Sequence, residues 1–139
     1  MSNPPRFVES YVKDCVGYVY LDDEPSLNAL TATMAKQLID AFRAMKSANT
    51  RVIVLSGRGR FFCSGQNLKP SKHNPMLPSN DMLNGYYHPM LEEIRQMPCM
   101  VIAALNGPMV GFGVGIALSC DAVLASESSY LMLPFSRIG

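Results

Sequence analysis

Residues 104–122 read ALNGPMVGFGVGIALSCDA, and this stretch decides the fold: it sets Gly111, Gly113 and Gly115 at alternate positions straight after the hydrophobic run CMVIAAL. The run predicts a buried strand, and the glycines open a short helix at its tip. A dinucleotide fingerprint needs G-x-G-x-x-G, but the residue three after Gly113 is Ile116. A phosphate loop needs Gly-Lys followed by Ser or Thr, and the chain has no Gly-Lys pair. Both nucleotide readings fail on spacing. Glycine costs ~1 kcal/mol relative to alanine inside a helix, so the three ask roughly 2–3 kcal/mol of the rest of the fold. Two explanations stay open at this point. The glycines let the helix pack closely on neighbouring strands, or they leave its first backbone N–H groups uncovered for negative charge.

A second arrangement of the same kind lies upstream in RVIVLSGRGRFFCSGQNLKP. Arg51–Gly57 is a continuous apolar run that predicts a strand buried on both faces, and it leads into a glycine-bearing turn at Ser64-Gly65-Gln66-Asn67. Two backbone donors at two strand tips suggest a pair aimed at one carbonyl oxygen. Such a pair stabilises the enolate formed when a proton leaves the carbon beside a thioester.

The remaining elements follow from periodicity. Phe7–Lys13 and Val16–Leu21 predict a hairpin turning at Asp14-Cys15. Met34, Leu38, Phe42 and Met45 recur at helical spacing behind Thr31, a cap residue. The segment from Gly57 to Ser79 is a loop long enough to be functional or disordered. Asn80–Met97 predicts a helix that Pro89 kinks or divides. Ala122–Ala125 predicts a third strand after the glycine helix. Strands alternating with helices mean an α/β layered fold.

Composition narrows the function. The chain has 139 residues, 48% hydrophobic and 17% charged, with a net charge of +1. That suits one domain with a real core and gives no broad field to attract nucleic acid or an anionic membrane, so neither is expected as a partner. No apolar run reaches the ~18 residues that span a bilayer, and the first residues, MSNPPRFVES, lack a secretory core, so a soluble intracellular protein is expected. Cys15, Cys63, Cys99 and Cys120 form no C-x-x-C pair and are expected as free thiols in a reducing compartment. His73 and His88 stand alone in polar surroundings and are expected at the surface. No metal site is expected.

In order along the chain, PSLNAL, FFCSGQNLK and LNGPMVGFGVGIALSCDAVLAS resemble the crotonase (enoyl-CoA hydratase/isomerase) family, over about Val16 to Gly139. The form Asn106-Gly107-Pro108-Met109-Val110-Gly111 is most similar to the Δ3,Δ2-enoyl-CoA isomerases of that family. The resemblance implies a crotonase-like spiral of ββα units, with residues 1–139 as the N-terminal portion of one domain, truncated before the C-terminal helices that family trimers use. It implies an acyl-CoA thioester as substrate, with coenzyme A part of that substrate and no separate cofactor. Carried over residue by residue, it makes the backbone N–H groups of Gln66 and Phe112 the oxyanion donors. Ser64, Gly65, Gln66, Asn67 and Leu68, with Gly111, would line the acyl-CoA pocket, and Ser26, Leu27, Asn28 and Ala29 would lie near the CoA moiety. On this reading the glycines expose backbone to a thioester oxygen.

The chain also departs from the family. It has Gln66-Asn67 where Ala-Asp is usual, and Gly115 where hydratases carry one of their two catalytic glutamates. Adding water needs that water held and deprotonated, whereas moving a proton from C2 to C4 needs a single acid/base. In family isomerases this is a glutamate shortly after the pattern matching LMLPFSRIG. Neither Asp121, a structural position in the family, nor Glu127, in a turn, replaces it. An isomerase-like protein that shifts the double bond of an enoyl-CoA is therefore expected, holding the oxyanion donors without their base. The alternatives are a non-catalytic acyl-CoA-binding or assembly module and an enoyl-CoA hydratase. The resemblance implies a peroxisomal location, with mitochondrion or cytosol as alternatives. The apolar run from Tyr130 is expected to leave a hydrophobic patch exposed.

Overall fold

The computed structural model describes residues 5–72 and 74–138. His73, expected at the surface, lies outside them; His88 is exposed. Strands β1 (Val8–Lys13) and β2 (Val16–Leu21) form the expected hairpin. Its turn holds Asp14 and Cys15 at φ 51° and 63°, the paired left-handed conformation that matches the twist of the flanking strands. Helix α1 (Ala32–Ser47) follows, and the Thr31 hydroxyl accepts the Met34 N–H at 3.1 Å, as its cap position predicts. Strand β3 (Val52–Gly57) then pairs parallel with β2.

The expected helix over 80–97 comes in pieces: α2 (Ser79–Met82), a π turn (Leu83–Tyr87) and α3 (His88–Arg95). Pro89 is the cause. In a continuous α-helix its ring would clash with the carbonyl four residues back, and it has no N–H to donate. The wider turn, with the His88 N–H bonded to the Leu83 carbonyl, accommodates it one residue early.

Strand β4 (Met100–Leu105) runs parallel to β3, and β6 (Ala122–Ala125) parallel to β4. Between them lie the two-residue strand β5 (Met109–Val110) and helix α4 (Phe112–Leu118). After β6 come β7 (Leu131–Met132) and α5 (Phe135–Ile138). The main sheet has the order β1-β2-β3-β4-β6.

Short extended segments build a second layer. Leu30 bridges Gln66, Cys63 bridges Met109, and β5 pairs with β7, all in parallel. Each main strand from β2 onward is thus followed by a short segment in the second layer and then by a helix. This is the spiral of ββα units.

The core lies between the main sheet and the helices, where Ile53, Leu55, Val101 and Ala103 meet Met34, Leu38 and Phe42 of α1, all fully buried. Each of these side chains larger than alanine contributes ~1.5–3 kcal/mol by leaving water. Contrary to what the continuous apolar run predicts, the parallel strands are not buried on both faces along their length. Burial alternates through most of both strands, Val52, Val54 and Ile102 being half-buried and Met100 exposed, until Leu55–Gly57 at the end of β3, which are buried together. The sequence run is continuous, but the pleat sends its odd and even members to opposite faces, and the helices cover one. The expected apolar patch is present: Leu131, Leu133 and Phe135 are all exposed.

Candidate functional site

Two strand tips meet at one place. The first leaves β3 and runs through Cys63 to Asn67. The second is the link from β5 into α4. Gly65 has φ +94°, and a Cβ there would lie 2.9 Å from the Val110 carbonyl oxygen and 3.6 Å from the Gly111 Cα. Gly111 has φ 53° and ψ −122°, a combination open to glycine. Backbone meets backbone at these two residues, and side chains would keep the tips apart.

Both tips are tied down. The Leu30 N–H donates to the Gly65 carbonyl at 2.7 Å, and the Asn67 N–H donates to the Leu30 carbonyl at 2.9 Å. The Val110 N–H donates to the Cys63 carbonyl at 2.9 Å and the Gly111 N–H to the Met132 carbonyl at 2.8 Å. No described residue accepts a hydrogen bond from the N–H of Gln66 or of Phe112. Gln66 is skipped because its neighbours take both bonds to Leu30. Phe112 is free as the first residue of its helix, where no carbonyl of a preceding turn is in place to accept its N–H.

A cavity of about 240 Å³ opens at the junction, lined by Ser64, Gly65, Gln66, Leu68, Val110, Gly111, Phe112, Pro134 and Phe135. The two residues expected as donors therefore share one cavity with four of the residues expected around them. Asn67 is outside the lining. It shapes the loop instead, its side-chain oxygen accepting the Lys69 N–H at 2.9 Å. Val110, Pro134 and Phe135 complete the lining and were not foreseen. They come from β5 and from the chain after β7, elements too short to leave a periodic signal. None of the described lining residues carries a carboxylate, an imidazole or an amine.

The segment expected near the CoA moiety lies behind the first tip. The Ser64 N–H donates to the Leu27 carbonyl at 3.1 Å and the Ser64 hydroxyl to the Ser26 carbonyl at 3.2 Å. The Ser26 hydroxyl donates to the Asp23 carboxylate at 2.5 Å and accepts the Ala29 N–H at 3.1 Å. Asn28 is fully buried, its amide nitrogen donating to the Arg58 and Phe61 carbonyls, both at 2.9 Å, and its oxygen accepting the Asp23 N–H at 2.8 Å. Its side chain is committed to holding this loop to the chain after β3. None of Ser26, Leu27, Asn28 and Ala29 lines the cavity.

Beneath the site, burial pushes the Cys63 thiol up to about 12, partly opposed by the hydrogen bond it receives from the Gly65 N–H. Cys63 is thus a neutral packing group and not a nucleophile. Asp121 accepts the Val101 N–H at 2.7 Å, the structural role expected of it, and Glu127 is exposed after β6. A larger groove of about 540 Å³ between β1 and α1, lined by Arg6, Ser10, Gln37 and Asp40 among others, holds none of the expected site residues. Its Gln37 side chain is spent on the backbone of Pro5 and Phe7.

The spiral, the meeting glycine tips and the cavity between them define the class. The sequence profile of the enoyl-CoA hydratase/isomerase family matches residues 12–139, and the chain belongs to that family. It is 37% identical over 128 residues to a probable enoyl-CoA hydratase of Rhodobacter capsulatus, covering 92% of this chain and 49% of that one. It is 31% identical over 138 residues to the 1,2-epoxyphenylacetyl-CoA isomerase of Escherichia coli, covering 96% and 53%. Among solved structures, an enoyl-CoA hydratase from Bacillus anthracis superposes with a TM-score of 0.84 at 28% identity, over 96% of this chain and 53% of that one. The chain spans about half the length of the relatives it matches.

Proposed function

We propose that the cavity receives the acyl end of an acyl-CoA thioester, with the Gln66 and Phe112 N–H groups as paired donors to its carbonyl oxygen. One observation carries this reading: the Gln66 and Phe112 N–H groups, which no described residue accepts, belong to residues that line the same cavity, on two different strand tips. Membership of the family supports it, as does the likeness to a protein named an epoxyphenylacetyl-CoA isomerase.

Paired donors lower the energy of the enolate that forms when C2 loses a proton, each contributing roughly 3 kcal/mol in a site closed to water. Returning that proton at C4 shifts the double bond of an enoyl-CoA, the isomerase reading. Gly115, where hydratases of the family carry a glutamate, favours that reading over hydration. Among the described lining residues no group takes the proton, so binding and polarisation without turnover are expected of these 139 residues.

Calorimetric titration with hexanoyl-CoA, followed by incubation with trans-3-hexenoyl-CoA, tests both parts. Saturable binding without conversion is the expected result. Rapid conversion would place a base within the chain and overturn the second part, and a folded chain that binds no thioester would overturn the first.

A further inference from the structure

Tyr87 closes the π turn and is 1% exposed. Its ring packs against that of Phe112, with centroids 4.6 Å apart and planes at 35°. Its hydroxyl donates to the Leu30 carbonyl at 3.4 Å, the same carbonyl that accepts the Asn67 N–H. The Leu30 N–H in turn holds the Gly65 carbonyl. One side chain therefore reaches both strand tips, directly at Phe112 and through Leu30 at Gly65-Gln66-Asn67. Tyr87 does not line the cavity.

Its placement depends on the π turn. Each residue advances an α-helix by about 100°, so removing the extra residue of the turn would swing Tyr87 by that angle relative to α2 and break one contact or both. Resting on the paired-donor reading, we propose that Tyr87 is a positioning residue that sets the spacing of the Gln66 and Phe112 N–H groups across the cavity.

The test compares the unaltered chain with Tyr87→Phe and Tyr87→Leu, using hexanoyl-CoA labelled with carbon-13 at the thioester carbonyl. Isotope-edited infrared spectra report how strongly that carbonyl is held, and amide hydrogen exchange reports the Leu30 and Asn67 bonds. In the unaltered chain the carbonyl band moves to lower frequency on binding. Tyr87→Leu is expected to lose at least half of that shift while its Kd changes less than threefold. It should also speed exchange at Leu30 and Asn67 at least tenfold, with Ile53 and Leu55 of β3 unchanged. Tyr87→Phe keeps the ring, and it should keep most of the shift with roughly threefold faster exchange at Asn67.

A folded Tyr87→Leu chain with the unaltered shift and exchange overturns the proposal. So does equal loosening of Leu30, Asn67 and β3, which marks Tyr87 as a core residue only. Should Tyr87→Leu fail to fold, Tyr87→Phe decides, and unaltered Asn67 exchange in it overturns the proposal. An unaltered chain that binds the thioester with no band shift removes the paired-donor reading itself, and the proposal with it. That outcome is distinct from the others because it needs no variant.

Discussion

The two tips that meet at the cavity reach the same place on different terms. The first has one glycine, Gly65, held at φ +94° with the Val110 carbonyl against the spot where a Cβ would stand. The second has three, and they do unequal work. Gly111 takes a backbone conformation closed to other residues, and Gly113 lets the helix sit on Cys63, whose carbonyl oxygen would be 2.7 Å from an added Cβ. Gly115 has nothing within 4 Å of where a side chain would go. The lone glycine is thus more constrained than one from the conspicuous cluster, and glycine density in a sequence is a poor guide to where backbone must be bare.

The largest expected effect tests how well the interior behind the tips is sealed from water. Burial raises Cys63, at the root of the first tip, from an ordinary 9.0 to about 12. Burial likewise raises Tyr87 from 10.0 and Cys120 from 9.0, each to about 12. All three are acids kept neutral in the fold. Their contribution is whole below pH 9, where the unfolded chain also holds these protons, and is lost as pH climbs to about 12. Melting temperatures should be flat to about pH 9 and collapse above it. A flat profile to pH 12 would show that these groups are not sealed from water.

Next comes Gly65→Ala, which combines a strained positive φ with a 2.9 Å approach to the Val110 carbonyl. A loss of about 3 kcal/mol is expected in denaturant titrations. A loss below ~1 kcal/mol would mean that the tips can separate freely and that the contrast with Gly115 is false.

Gln66→Pro removes an N–H and should weaken hexanoyl-CoA binding about tenfold, whereas Gln66→Ala, which keeps the N–H, should change it less than threefold. Calorimetry on both variants separates backbone from side chain. Equal losses would assign the role to the Gln66 amide.

The smallest effect is a gain. Gly115→Ala fills open space on α4 and should stabilise the chain by up to ~1 kcal/mol, seen as a higher denaturation midpoint. Destabilisation there would show that the second tip has no spare glycine, and the comparison would lose its point.

Much of this site was legible along the chain. Cys63–Leu68 and Gly111–Gly115 each follow an apolar run and carry their glycines at the run's end, a pattern that survives without any knowledge of the partner tip. Thr31 before Met34 and the positive-φ pair Asp14-Cys15 were equally local. What escaped was contributed from a distance or by very few residues. The two residues of β5 and the two of β7 show no period of their own and are extended because they pair with each other and, for β5, with Cys63. The resemblance placed Asn28 near the CoA moiety, and nothing in the sequence around it shows what its side chain holds. Its three hydrogen bonds reach Asp23, Arg58 and Phe61, two of them some thirty residues on.

The sequence by itself determined the order of the longer strands and helices, the exclusion of nucleotide loops by glycine spacing, and the family motifs, because each depends on residues close together in the chain. Only the tertiary structure decided which face of the parallel sheet is covered and that Phe135 lines the cavity. It also decided that Gly65 and Gly113 are needed where Gly115 is not. Those outcomes turn on approaches such as 2.9 Å at Gly65 and 2.7 Å at Gly113 between segments far apart in the chain, and burial and close contact are properties of a pair of surfaces, which no single stretch of chain possesses.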